Sequence, residues 1–163
     1  MLCFAYGSNM SLARLRVRAP SAEFVAIGRL IAHRLAFHKV GWKDGSAKCD
    51  AQFTGSPDDE VLGVVYEIAR VDKPRLDKAE GLGRGYDQKQ VDIATERERL
   101  NVQIYFATAI DPFLKPYHWY KQHVLIGARE NGLPSDYVAR IAAVESIEDP
   151  APRRRARELG IYA

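Results

Sequence analysis

Val61-Leu62-Gly63-Val64-Val65-Tyr66-Glu67-Ile68 is a continuous apolar run, and its length and β-branched content predict a buried strand. Working towards the N-terminus, Ala47, Cys49, Ala51 and Phe53 alternate with polar neighbours, which predicts a half-buried strand ending at the turn Gly55-Ser56-Pro57-Asp58. Residues 41 to 46 read as a loop. The stretch from Ala22 to Val40 is rich in β-branched and aromatic residues and is broken near Ile31 to Arg34, so it reads as two strands. At the start of the chain Leu2-Cys3-Phe4-Ala5-Tyr6 is a strand and Gly7-Ser8-Asn9 a polar turn. Ser11 to Arg18, with Leu12 and Leu15 at helical spacing and Pro20 as a stop, is a helix.

Working towards the C-terminus, Asp72 suits an N-cap, Pro74 a first turn and Gly81 the left-handed position after a last turn. A short helix therefore ends at about Glu80. Val91 to Thr95 and Val102 to Thr108 form a hairpin joined by Glu96-Arg97-Glu98-Arg99. Two helices follow, one from about Tyr117 to Glu130, stopped by Asn131-Gly132, and one from Pro134 carrying Tyr137, Ile141 and Val144. Strands come early, helices late, and several strands are close enough for hairpins. The expected class is α+β, a mixed sheet or small barrel flanked by helices, in one domain over residues 1–163.

Composition excludes several functions. The 24 basic and 21 acidic side chains leave a net charge of +3, too small to point to nucleic acid or a membrane surface. Two cysteines, Cys3 and Cys49, with no further ligands nearby, suggest neither a disulfide framework nor a zinc site. The first strand begins at once, without a basic segment or a long apolar segment, so the reading is cytoplasmic. Arg153-Arg154-Arg155-Ala156-Arg157 reads as a solvated tail or helix end, because no interleaved aromatics accompany it.

Two segments carry candidate chemistry. Tyr6-Gly7-Ser8-Asn9 lies between a strand end and a helix start, where free backbone N–H groups can cradle a carboxylate or phosphate. The same residues also suit an ordinary turn with Asn9 as N-cap. Glu80 lies one turn after Leu76 on the apolar edge of its helix and near the helix C-terminus. Partial desolvation and the helix dipole would both favour its protonated form; a solvated helix-end glutamate is the plain alternative. Gly81, Gly83 and Gly85 leave a helix rather than open one, which rules out a dinucleotide fingerprint. Ser8 lacks a nucleophile elbow, and His118 and His123, five residues apart, do not share a helical face as metal ligands would.

Tyr6-Gly7-Ser8-Asn9-Met10 after the first strand, Glu80-Gly81 after a Leu-Asp-Lys-Ala helix, and Gly127-Ala128-Arg129-Glu130-Asn131-Gly132-Leu133-Pro134 together resemble the gamma-glutamylcyclotransferase family. Pro20-Ser21-Ala22 and Asp59 to Val65 add to the resemblance, which runs over most of the chain. It implies a small mixed β-barrel with helices outside, with Glu80 as catalytic acid/base. It also implies that Tyr6, Gly7, Ser8 and Asn9 bind the glutamyl part of a small-molecule γ-glutamyl substrate, and that Tyr86, Tyr105 and Tyr120 border the pocket. The implied product is 5-oxoproline, formed by attack of the substrate's own α-amine on its γ-carbonyl, so neither metal nor cofactor is required. The resemblance leaves open γ-glutamylamines, a carrier-protein product or glutathione as substrates, a non-catalytic binding member of the fold, and a homodimer.

Overall fold

The computed structural model describes residues 1–163. Seven strands are present: β1 (Leu2–Ala5), β2 (Glu23–Ile31), β3 (His33–Val40), β4 (Ala47–Phe53), β5 (Glu60–Glu67), β6 (Tyr86–Ala94) and β7 (Arg99–Ala107). Five of them close a barrel in the order β1-β5-β2-β6-β7, and a parallel Cys3–Gln103 pairing joins β7 to β1. The apolar run Val61–Ile68 is the hub. As β5 it pairs antiparallel with both β1 and β2, which is why it carries almost no polar residue.

A five-stranded barrel is narrow, and glycine makes room inside it. Gly28 and Gly63 face each other across the β2–β5 ladder. A Cβ on Gly63 would lie 2.8 Å from Cζ of the Phe4 ring and 2.4 Å from the Ala5 carbonyl oxygen. Phe4 therefore fills the interior against two bare backbone positions and is fully buried with Val64, Val65, Ile93 and Ile104.

The strands β3 and β4 form a separate two-stranded sheet. The expected break between the first two long strands is the single residue Ala32, whose φ of 62° reverses the chain and whose carbonyl accepts from the Thr54 and Gly55 amides. The register of β3 shifts at His38: Phe37 pairs with Cys49 and Lys39 with Lys48. A regular strand sends neighbours to opposite faces, but this bulge leaves both His38 and Lys39 buried.

Five helices surround these sheets: α1 (Leu12–Arg18), α2 (Lys73–Glu80), α3 (His118–Glu130), α4 (Ser135–Ala143) and α5 (Pro152–Leu159). The hairpin β6–β7 is longer than the apolar pattern suggests, because its ends at Tyr86 and Ala107 pair through backbone. Two caps differ from expectation. Ser11, not Asn9, accepts from the Arg14 amide at the start of α1, and the Asp72 carboxylate accepts from the backbone and hydroxyl of Ser21 instead of capping α2.

The arginine run is no free tail. It forms α5, docked through paired charges. Arg154 makes two hydrogen bonds of 2.6 Å to Asp149, which also accepts from the Trp119 indole at 2.8 Å. Arg14 donates to Glu158 at 2.7 Å, and the Tyr162 hydroxyl meets His123. Hydrogen bonds from Arg154 lower the pKa of Asp149 from 3.8 to about 2. A carboxyl whose folded pKa is depressed contributes stability above its unfolded value and loses it as pH falls. The docking supplied by Asp149 should therefore be complete above about pH 4 and fade as pH drops towards 2. Fluorescence of Trp119 in a Trp42→Phe background reads this transition. Release centred at pH 4 or higher would show that the Asp149 pair does not hold the segment.

Candidate active site

Glu80 is the last residue of α2 and is followed by Gly81 in the left-handed conformation, φ 77°. The bare Gly81 lets Trp42 pack directly on the helix end: a Cβ there would lie 2.4 Å from the Trp42 indole nitrogen. Gly83 and Gly85 also have positive φ, so the glycines do serve as the backbone path leaving a helix C-terminus. The Glu80 side chain is 15% exposed, which meets the expectation of partial desolvation.

Across from Glu80, Ser8–Met10 forms a single 3-10 turn after β1. Its first hydrogen bond runs from the Met10 amide to the Gly7 carbonyl, so the Ser8 and Asn9 amides precede any partner within the turn. Gly7 is required here by close approach, since a Cβ would lie 2.9 Å from Cβ of Cys49 on β4. On the other side α3 presses on the turn through Gly127, where a Cβ would come 2.5 Å from the Ser11 nitrogen.

Asn9 links the two halves. Its side-chain nitrogen donates to Glu80 Oε1 at 2.9 Å and its oxygen accepts from Arg18 at 2.7 Å. Arg18 also pairs with Glu80 Oε1, at 2.5 Å. Both contacts fall on Oε1, leaving Oε2 without a protein partner. The sequence reading did not find Arg18, whose guanidinium pairs with this carboxylate. The available signal was its spacing: Arg14 and Arg18 are four apart and share a face of α1.

All eight residues singled out in the sequence line one small crevice of about 40 Å³: Tyr6, Gly7, Ser8, Asn9, Glu80, Tyr86, Tyr105 and Tyr120. The four tyrosines are buried, and burial raises the pKa of each. Their hydroxyls already have protein partners. Tyr6 donates to the Tyr105 carbonyl, Tyr86 to the Cys49 carbonyl and Tyr105 to Asp77, while Tyr120 accepts from the Cys49 amide at 2.9 Å. Cys49 thereby ties β4 to two walls of the crevice, and the tyrosines contribute rings and shape.

The crevice opens into an outer cavity of about 260 Å³ that shares Ser8, Glu80, Tyr86 and Tyr120 with it. Its further lining comes from segments the sequence reading left aside: Lys39 on β3, Trp42 and Lys48 around the 41–46 loop, and Arg154 and Arg157 on α5. Sequence signals for these were absent, because each depends on β3–β4 and α5 folding over the barrel end.

A closed five-stranded barrel with β3–β4 and helices outside is the gamma-glutamylcyclotransferase-like fold. A solved structure named gamma-glutamyl cyclotransferase superposes with a TM-score of 0.82 at 31% identity, covering 92% of this chain and 90% of that one. Residues 60–141 match the AIG2-like family. The Homo sapiens protein named gamma-glutamylcyclotransferase is 35% identical over 148 residues, 88% of this chain and 78% of that protein. The Bos taurus protein of the same name is 34% identical over the same shares. The chain belongs to the gamma-glutamylcyclotransferase family, a family of enzymes. None of its helices is long and apolar enough to cross a membrane.

Proposed function

We infer that this chain converts a γ-glutamyl amino acid to 5-oxoproline and the free amino acid, with Glu80 as general acid/base. The observation that carries this reading is the convergence of Glu80, half-sequestered and with Oε2 unpartnered, on the Gly7–Asn9 turn in one crevice. Family membership supports it independently.

The substrate carries its own nucleophile, the α-amine. Folding the glutamyl chain in a closed crevice brings that nitrogen to the γ-carbonyl as a five-membered ring, and this proximity supplies much of the rate. A new bond forms between the α-nitrogen and the γ-carbonyl carbon, and the bond from that carbon to the leaving nitrogen breaks. The α-ammonium sheds two protons in all, and the leaving nitrogen gains two. Glu80 Oε2 takes one from the α-ammonium and returns it to the departing nitrogen, so the carboxylate is regenerated; the second proton passes to solvent from the α-nitrogen, and the released amine takes one up from solvent. Asn9 and Arg18 hold Oε1 and fix the orientation of the carboxyl group. The Gly7, Ser8 and Asn9 amides hold a carboxylate or the tetrahedral oxyanion. The rings of Tyr6, Tyr86, Tyr105 and Tyr120 exclude the water that would otherwise give glutamate.

The test is product analysis with γ-glutamylalanine. Equimolar 5-oxoproline and alanine without added metal or cofactor are expected. Release of glutamate in place of 5-oxoproline would replace cyclisation by hydrolysis as the activity.

A further inference from the structure

Lys39 stands apart as the buried, unpaired cation of the outer cavity; Lys43, which also lines it without an ion-pair partner, is exposed and lies over the Trp42 ring. Arg14 is paired with Glu158, Lys48 with Asp44, Arg154 with Asp149 and Arg18 with Glu80. Lys39 is only 1% exposed, lines the cavity and has neither an ion-pair nor a hydrogen-bond partner; its ammonium sits 4.3 Å from the centre of the Tyr86 ring. A buried ammonium without a counter-ion is costly, and a ring face compensates it only in part. The bulge at His38 is what turns this side chain inward: His38 takes the neighbouring buried place, bonded to Asp50 at 2.8 Å.

We propose that Lys39 is the specificity-determining residue of the outer cavity, where its ammonium holds the carboxylate of the amino acid that leaves. The proposal rests on the cyclisation reading for its assignment of the leaving side. Lys39 lines the outer cavity but not the inner crevice, and Glu80 lies where the two meet. With the γ-carbonyl at Glu80 and the glutamyl head on the Gly7–Asn9 turn, the leaving portion extends past Tyr86 towards Lys39. An amine without a carboxylate would leave that ammonium unpaired.

The groups facing Lys39 are Glu80 from α2, Asp44 from the β3–β4 connection, Lys48 from β4, and Tyr86 from β6. Burial lowers the Lys39 pKa from 10.5 to about 8, against the opposing attraction of Glu80. Loss of its proton removes the charge that a carboxylate would bind.

The experiment compares γ-glutamylalanine with γ-glutamylethylamine, which differs by the leaving group's carboxylate alone. For the wild-type protein kcat/KM should favour the alanine compound, and Lys39→Met should shrink that ratio about 10- to 100-fold, mainly through KM, as for a lost charge-assisted hydrogen bond. In the wild-type protein KM for the alanine compound should rise as pH passes about 8, with no such rise for the ethylamine compound. A ratio unmoved by Lys39→Met, or KM values that follow pH alike for both compounds, would overturn the proposal. If neither compound yields 5-oxoproline, the cyclisation reading fails, and binding of the two compounds followed by tryptophan fluorescence still decides about Lys39. Preferential binding of the alanine compound that Lys39→Met abolishes supports it; equal binding overturns it.

Discussion

Glu80→Gln is expected to leave a folded protein that still binds γ-glutamylalanine while releasing 5-oxoproline about 10²- to 10⁴-fold more slowly, the usual worth of a positioned acid/base. The substitution preserves the shape of the side chain. A glutamine can keep its carbonyl oxygen towards the Asn9 and Arg18 donors that now meet Oε1. What it loses is the carboxylate oxygen with no protein partner, which is the one proposed to carry the proton. The effect should therefore fall on kcat, with KM changed little. Turnover within a few-fold of the wild type would remove Glu80 from the mechanism, because no other carboxylate lines the inner crevice.

Gly127→Ala should harm both stability and activity from outside the crevice. Its new Cβ would lie 2.5 Å from the Ser11 nitrogen and 2.6 and 2.7 Å from Met10 Cβ and carbonyl carbon. Two of those atoms are backbone, so the strain cannot be relieved by a rotamer change; α3 and the turn that follows β1 must separate. Overpacking of this kind costs about 1–3 kcal/mol, which a thermal melt resolves. The separation also moves the amides of Gly7 to Asn9 relative to Glu80, and a misplacement of about 1 Å costs on the order of 10²-fold in rate. Gly160→Ala is the control: nothing lies within 4 Å of that position and its φ is −62°, so both readouts should stay near wild type. Equal behaviour of the two variants would show that α3 does not fix the turn.

Much of the site was legible because its parts are local. A strand end followed by Gly7-Ser8-Asn9 announces a turn with free amides, and Asp72 to Gly81 announces a short helix ending at Glu80; both are found where expected. The tyrosines were legible as pocket residues but not in their bonding. That Tyr86 and Tyr120 both grip the backbone of Cys49 depends on how β4 crosses the barrel end. The C-terminal arginines are largely solvated, as a basic run read alone suggests: Arg153, Arg155 and Arg157 are exposed on α5. Arg154 is the exception, drawn in by Asp149 beside Trp119, while Glu158 of the same helix pairs with Arg14 of α1; neither contact is visible in the local pattern.

By itself the sequence determined the strands, most of the helices and the order in which they occur, since apolar periodicity, turn residues and caps act over a few neighbouring residues. The family was equally readable from short motifs. Only the tertiary structure decided which cations meet Glu80 and which remain unpaired. Arg18 reaches that carboxylate across 62 positions of chain, and Lys39 is turned inward by a one-residue bulge in β3. Charge pairing and burial are properties of groups brought close in space, and no local pattern encodes that proximity.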